Sequence, residues 1–401
     1  MAGRSTSRTT LTVGGAPPTE RHPFADGALP PNAHVRGLYV HVPFCFHKCH
    51  YCDFYSLVDR ESRQPAYVAR LAREIAASAF ALERPIETVF IGGGTPTFLE
   101  PTLLREALGA IRAGVTLAEG YEWTVEANPE TVTPEVAAIL VASGVNRVSL
   151  GAQSFDERAL KTLERWHDPA NVRRAVETLR AAGIRRINLD LIFGVPGTSL
   201  AGWEHDLDRA LALEPDHLSC YGLTYEPNTA MTKRLDLGEF EPCDEDLEAD
   251  MYERTIDRLA ACGFEQYEIS NWAKPGERCR HNMLYWTNAD WWALGPSASG
   301  HIAGTRFKLV PRISEWLGAD ALAPVVDLER PDLERAKAET LLVGLRLLDG
   351  LPRATVDACL GVSGQEALAR HLAQGTLEIA DDRVRLTRRG LLVADGVLAE
   401  M

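Results

Sequence analysis

A chain of 401 residues with 45% apolar side chains can bury a large core, and its length suits two or three domains or one barrel with additions. A net charge of -14 argues against a nonspecific nucleic-acid binder, because neutralising phosphates takes a basic face. There is no apolar run of about eighteen residues to span a membrane and no secretory signal, so the sequence reads as cytoplasmic.

Residues 1–35 are rich in Ser, Thr, Gly, Pro and Arg without hydrophobic period, the composition of a disordered tail. From 36 to 228, six strand candidates ("LYVHVP", "TVFIGGG", "EWTVEAN", "RVSLGAQ", "INLDLIFG", "HLSCYGLTY") alternate with amphipathic segments such as "PAYVARLAREIAASAFAL" and "NVRRAVETLRAAG". This alternation predicts an α/β fold with a parallel sheet, and Gly114, Gly144 and Gly183 stand where left-handed helix caps are expected. Six units fall short of the eight of a closed barrel, leaving a partial barrel or a doubly wound sheet, with function at the carboxyl ends of the strands in either case. Residues 229–330 carry an acidic helix near 243–262 and an aromatic stretch, and are read as an extension. Residues 331–401 open with a helix over 331–348 and read as a smaller helical or winged-helix module. Winged helices often bind DNA, but the mixed charge of this tail does not favour it.

The stretch "YVHVPFCFHKCHYCDF" holds Cys45, Cys49 and Cys52, spaced to reach one inorganic centre. In a reducing compartment such a cluster points to metal or redox chemistry, whereas Cys220, Cys243, Cys262, Cys279 and Cys359 read as ordinary thiols. Zinc with a fourth ligand from His41, His47, His50 or Asp53 and an iron-sulfur cluster both fit the spacing. "GGGTPT" at 92–97 reads either as a tight turn or as a place where backbone approaches a ligand closely.

The cysteine spacing, the preceding "YVHVPF" and the downstream "GGGTPT" resemble the radical S-adenosylmethionine enzymes. The resemblance implies a partial (β/α)6 barrel and a 4Fe-4S cluster on the three thiolates, with S-adenosylmethionine on the fourth iron. It also implies cofactor contacts by Tyr39, Gly93, Gly94, Thr95, Glu126, Gln153, Arg165 and Asp190, residue types suited to ribose hydroxyls, an ammonium and a carboxylate.

Longer matches through "LTYEPNT" and "YEISNWAKPG" resemble the branch that contains oxygen-independent coproporphyrinogen III oxidase, whose motif has a further cysteine where Phe54 stands here. Phe54 and "RHNMLYW", which matches an HNxxYW motif, are similar instead to the haem chaperones of that branch. That likeness implies haem as cargo near His281, Asn282, Tyr285 and Trp286, with acceptor haemoproteins, membrane-associated respiratory enzymes among them, and an electron donor as partners. It also allows a peripheral place at the membrane. Decarboxylation of coproporphyrinogen is the alternative activity.

Overall fold

The computed structural model describes residues 19–401. Strands β1 (Val35–Val42), β2 (Ile86–Gly93), β3 (Leu117–Ala127), β4 (Arg147–Gln153), β5 (Arg186–Phe193) and β6 (His217–Gly222) pair in parallel in chain order. Helices α1 (Gln64–Ala77), α2 (Pro101–Gly114), α3 (Pro134–Ser143), α4 (Glu157–Thr162), α5 (Pro169–Ala182) and α6 (Leu200–Leu211) connect them. The helices begin where side chains cap them: Thr133 accepts from Val136 N, Asp168 from Ala170 N and Ser199 from Gly202 N. A proline in the first turn of α1, α2, α3 and α5 costs no intrahelical hydrogen bond.

Two of the three expected glycine caps are left-handed, Gly144 at φ 96° and Gly183 at φ 111°. Gly114 is not: it is the last residue of α2, and a Cβ there would lie 2.2 Å from Ile75 Cγ2, so its smallness serves the packing of α1 on α2.

The sheet continues beyond the six strands. After α7 (Ala230–Asp236) and α8 (Glu245–Ala261), β7 (Glu265–Glu268) and β8 (Asn271–Ala273) add antiparallel strands to β6. Past α9 (Arg280–Trp286), β9 (Asp290–Leu294) runs parallel to β1 and leads into β10 (Ser299–Ile302) and β11 (Thr305–Leu309). Beyond α10 (Ile313–Gly318), β12 (Val325–Glu329) completes a twelve-stranded sheet. Thus residues 229–330, read as an extension, are structurally continuous with the barrel and lengthen both edges of its sheet.

The expected tail also needs correction from residue 19 onward. Glu20 bridges to Val325, and His22 and Phe24 are buried against Trp292 and Phe307, with centroids 4.9–6.0 Å apart. Two aromatic rings buried in that pocket offset the entropy of ordering a short polar segment. The rest of the expected tail lies outside the described residues.

The C-terminal part consists of α11 (Leu333–Gly344), β13 (Leu351–Pro352), α12 (Arg353–Cys359), α13 (Val362–Gln374), β14 (Leu377–Ala380), β15 (Arg383–Leu386), α14 (Arg388–Leu391) and α15 (Ala394–Glu400). Its three strands form a separate sheet. Arg388 pairs with Asp257 of α8 at 2.6 Å, and Leu348 N donates to Tyr267 O, so this part rests on the β6 side of the barrel.

Candidate cluster and cofactor site

Three cysteines sit in the loop that leaves the carboxyl end of β1. The loop is tied at its base, with Leu57 N donating to Pro43 O at 2.8 Å and Cys45 N to Leu57 O at 3.0 Å. Cys45, Cys49 and Cys52 are all half-buried. Cys45 Sγ lies 3.7 Å from Thr95 Oγ1, and Arg165 Nη1 donates to Cys49 Sγ at 3.5 Å. Burial pushes the Cys52 thiol up to about 11, with Cys49 and Cys45 adding like-charge repulsion, and burial also raises Cys45. Three close thiols in this setting would need a cationic centre among them to ionise, and Arg165 offers only one charge.

Among the described residues no three His, Cys, Asp or Glu side chains converge on a point as a single ion requires. A cubane asks for no such convergence, because each thiol takes a different iron. Three thiols on one short loop are a donor set that fits such a cluster.

Behind the loop, the inner face of the sheet is polar at the carboxyl ends of the strands. Gly93 has φ +102°, and a Cβ on it would fall 2.3 Å from the His41 ring; one on Gly94 would fall 2.8 Å from the Val42 and Phe44 carbonyl oxygens. These glycines are required by close packing of the turn on β1 and the cysteine loop. Both, with Thr95, keep part of their surface open.

Gly93 N donates to Glu126 Oε2 at 3.0 Å. Glu126 retains some accessible surface although the barrel encloses it, because that surface faces the interior rather than bulk water. Desolvation, then the facing Asp190, pushes its carboxyl up to about 8. Asp190 is itself raised by burial, while hydrogen bonds from Ser149 Oγ (2.9 Å) and Asn188 Nδ2 (2.8 Å) favour its charged form.

Gln153 ends β4 at φ 57°, unusual for a residue with a side chain, and its buried Oε1 has no partner. Arg165 Nη2 donates to Gly151 O at 2.8 Å, leaving its Nε unpartnered. Tyr39 OH lies 3.0 Å from His41 Nδ1, and Tyr39 feels the Glu126 charge. The structure thus gathers Tyr39, Gly93–Thr95, Glu126, Gln153, Arg165 and Asp190 near the three cysteines, with unsatisfied buried polar atoms among them. His41 was missed as a positioning group: its Nε2 meets Tyr55 O at 2.7 Å, so one ring ties β1 to the cysteine loop. Its alternation with Tyr39 along β1 is the signal that places it on the same face.

His281, Asn282, Tyr285 and Trp286 lie elsewhere, on and beside α9 at the opposite, amino-terminal layer of the barrel. His281 is fully buried. Its Nδ1 lies 2.7 Å from Thr88 Oγ1, its Nε2 lies 2.9 Å from Tyr285 OH, and its ring stacks on Phe90. Desolvation lowers its pKa to about 3, so it is neutral. With both nitrogens engaged and no exposed surface, this imidazole is unavailable to haem iron in this state. Glu122 accepts from His281 N at 3.1 Å and Arg280 N at 3.3 Å and pairs with buried Arg147, seating the amino end of α9 in the barrel mouth. Trp286 packs under Arg346, and Tyr285 sits edge-on to Trp291.

Residues 39–210 match the Radical SAM superfamily and residues 332–393 the HemN C-terminal domain. A Mycobacterium tuberculosis protein named "Heme chaperone HemW" is 39% identical over 93% of this chain and 96% of its own length. The chain belongs to the HemW-like radical S-adenosylmethionine family. Proteins of the same name from Escherichia coli and Bacillus subtilis are 35% and 33% identical, each over 90% of this chain and covered to 96% and 98% of their own lengths. The Escherichia coli coproporphyrinogen III oxidase HemN, described as a radical SAM enzyme, superposes with a TM-score of 0.80 over 94% of this chain and 92% of its own, at 21% identity. That likeness establishes the partial-barrel fold with its C-terminal domain. Among the described residues no helix is long and apolar enough to cross a membrane.

Proposed function

We propose that this protein is a haem chaperone that carries a 4Fe-4S cluster on Cys45, Cys49 and Cys52 and binds S-adenosylmethionine at the iron the thiols leave open. The observation that carries the reading is the near end-to-end similarity to relatives named haem chaperones, over a site that has three cysteines and Phe54 in place of another. When bound, the cluster supplies one electron and an open coordination position. The chain's own groups do the rest. Arg165 offsets thiolate charge beside Cys49 and presents its free Nε to an anionic group. Gln153 Oε1 and the Glu126 and Asp190 carboxyls accept hydrogen bonds from an ammonium or from ribose hydroxyls. Gly93 and Gly94 keep the turn below them low enough for a ligand backbone to lie close.

Haem is the cargo, handed on to acceptor haemoproteins that include membrane-associated respiratory enzymes, and an electron donor serves the cluster. Anaerobically reconstituted protein is expected to bind haem and transfer it to an apo-haemoprotein, and to form no protoporphyrinogen from coproporphyrinogen III with S-adenosylmethionine and a reductant. An intact cluster without haem binding refutes the proposal, and steady decarboxylation replaces it with the oxidase reading.

A further inference from the structure

With His281 sealed in the barrel mouth, haem needs another place, and the outer face of the cysteine loop has the chemistry for one. Phe46 and Trp166 leave 65% and 67% of their surfaces in solvent, side by side with centroids 6.3 Å apart, and Phe98 stands behind Phe46 at 6.2 Å. Large aromatic rings seldom stay exposed together without a partner to cover them.

Against Trp166 lies His47. Its ring stacks on Trp166 at 4.8 Å and 26°, and its Nε2 is buried without any hydrogen-bond partner. Of the other histidines of this region, His41 is engaged by Tyr39 and Tyr55 and His50 by Arg234 Nη1 at 3.2 Å, whereas His167 is unpartnered at both nitrogens but only 4% exposed, which leaves half-buried His47 as the more accessible free imidazole. A buried imidazole nitrogen left without a partner is destabilising, and an incoming metal would supply the partner it lacks.

Trp166 also walls a cavity of about 460 Å³ between α4 and α5, the size class of a bound cofactor. Lys161 and Arg165 line it as well. Its acids are partly committed, Glu164 to Trp166 Nε1 at 3.3 Å and Asp168 to capping α5, whereas Glu157 is not. Among the described residues Lys161, and Lys48 next to His47, are exposed and make no ion pair.

We propose that this face is the haem-receiving site. Trp166, held by one long hydrogen bond, turns from the His47 ring onto the macrocycle. His47 Nε2 then coordinates the iron, Phe46 packs against the porphyrin edge, and Lys48 and Lys161 pair with the two propionates. An iron tetrapyrrole matches all three features together: a metal for a free imidazole nitrogen, a flat apolar disc for two exposed rings, and two carboxylates for two unpaired cations. The site rests on the haem-chaperone reading above and relocates the cargo from the HNxxYW segment to the side of the cluster.

The test is anaerobic titration of full-length, cluster-loaded protein with haem, read by Soret absorption and by the low-spin signature of imidazole ligation. Iron and sulfide content is checked in every variant. His47→Ala is expected to weaken binding at least tenfold and abolish the low-spin signature, with added imidazole restoring it. Trp166→Ala and the double change Lys48→Ala with Lys161→Ala are each expected to weaken binding several-fold, the lysine effect vanishing at high salt. Wild-type binding that His47→Ala and Trp166→Ala leave unchanged in affinity and spectrum overturns the site while sparing the chaperone reading. No haem binding by wild type with its cluster intact overturns both.

Discussion

Replacing His281 with alanine tests whether the HNxxYW segment is chiefly a structural plug. The ring is fully buried, so its removal opens a cavity beneath Phe90 and Leu284. It also strands Thr88 Oγ1 and Tyr285 OH, which lie 2.7 and 2.9 Å from its two nitrogens. Large-to-small changes of this kind cost about 2–4 kcal/mol, and a stranded buried hydroxyl adds about 1 kcal/mol or more, so a loss of about 3–5 kcal/mol is expected. His281→Phe keeps the volume and the stack on Phe90 but not the hydrogen bonds, and should lose about half as much. Urea unfolding followed by tryptophan fluorescence measures both, alongside haem titration of the folded fraction. A His281→Ala protein with wild-type stability and no haem affinity would refute the reasoning and restore the ligand role.

Two further perturbations follow from the same packing. Burial lowers His22, His167 and His281 to about 3 and His41 to about 4, so these rings stay neutral in the fold while an unfolded chain protonates them near 6.5. Their contribution is present above pH 6.5 and is lost as pH falls towards 3–4. At about 1.4 kcal/mol per unit per group, each costs about 2 kcal/mol by pH 5, so the urea midpoint should drop steeply between pH 7 and pH 5; a flat profile would contradict the neutral assignments. Phe24→Ala should cost about 3 kcal/mol in the same assay, because the ring is 6% exposed and packs on Trp292 and Phe307. A change below about 0.5 kcal/mol would mean that residues 19–34 are not part of the folded unit.

Much of the fold was legible because its signals are local. The six parallel strands lie where apolar, β-branched runs alternate with amphipathic segments, and Gly144 and Gly183 end helices as their positions suggest. Gly114 carries the same local signal and means something else, because its role depends on Ile75 of another helix. Phe24 sits in a polar, Pro-rich context that hides it until its pocket between Trp292 and Phe307 exists.

The candidate site divides in the same way. Cys45, Cys49 and Cys52 are found by spacing within one loop, and Gly93 by the turn it makes. Glu126, Gln153 and Asp190 look like any strand-end polar residues until the sheet curls them towards one interior, where desolvation raises both carboxyls and leaves Gln153 Oε1 unpaired. The sequence by itself determined the alternation of elements, the three-thiol loop and the family to which they belong, since each depends on residue type at short range. Only the tertiary structure decided which histidines are free: His281, the more conspicuous in its motif, is spent on Thr88 and Tyr285, while His47 keeps an unpartnered nitrogen beside two exposed aromatic rings. Availability of a ligand is a matter of burial and of hydrogen bonds across distant segments, and neither is written in the local pattern.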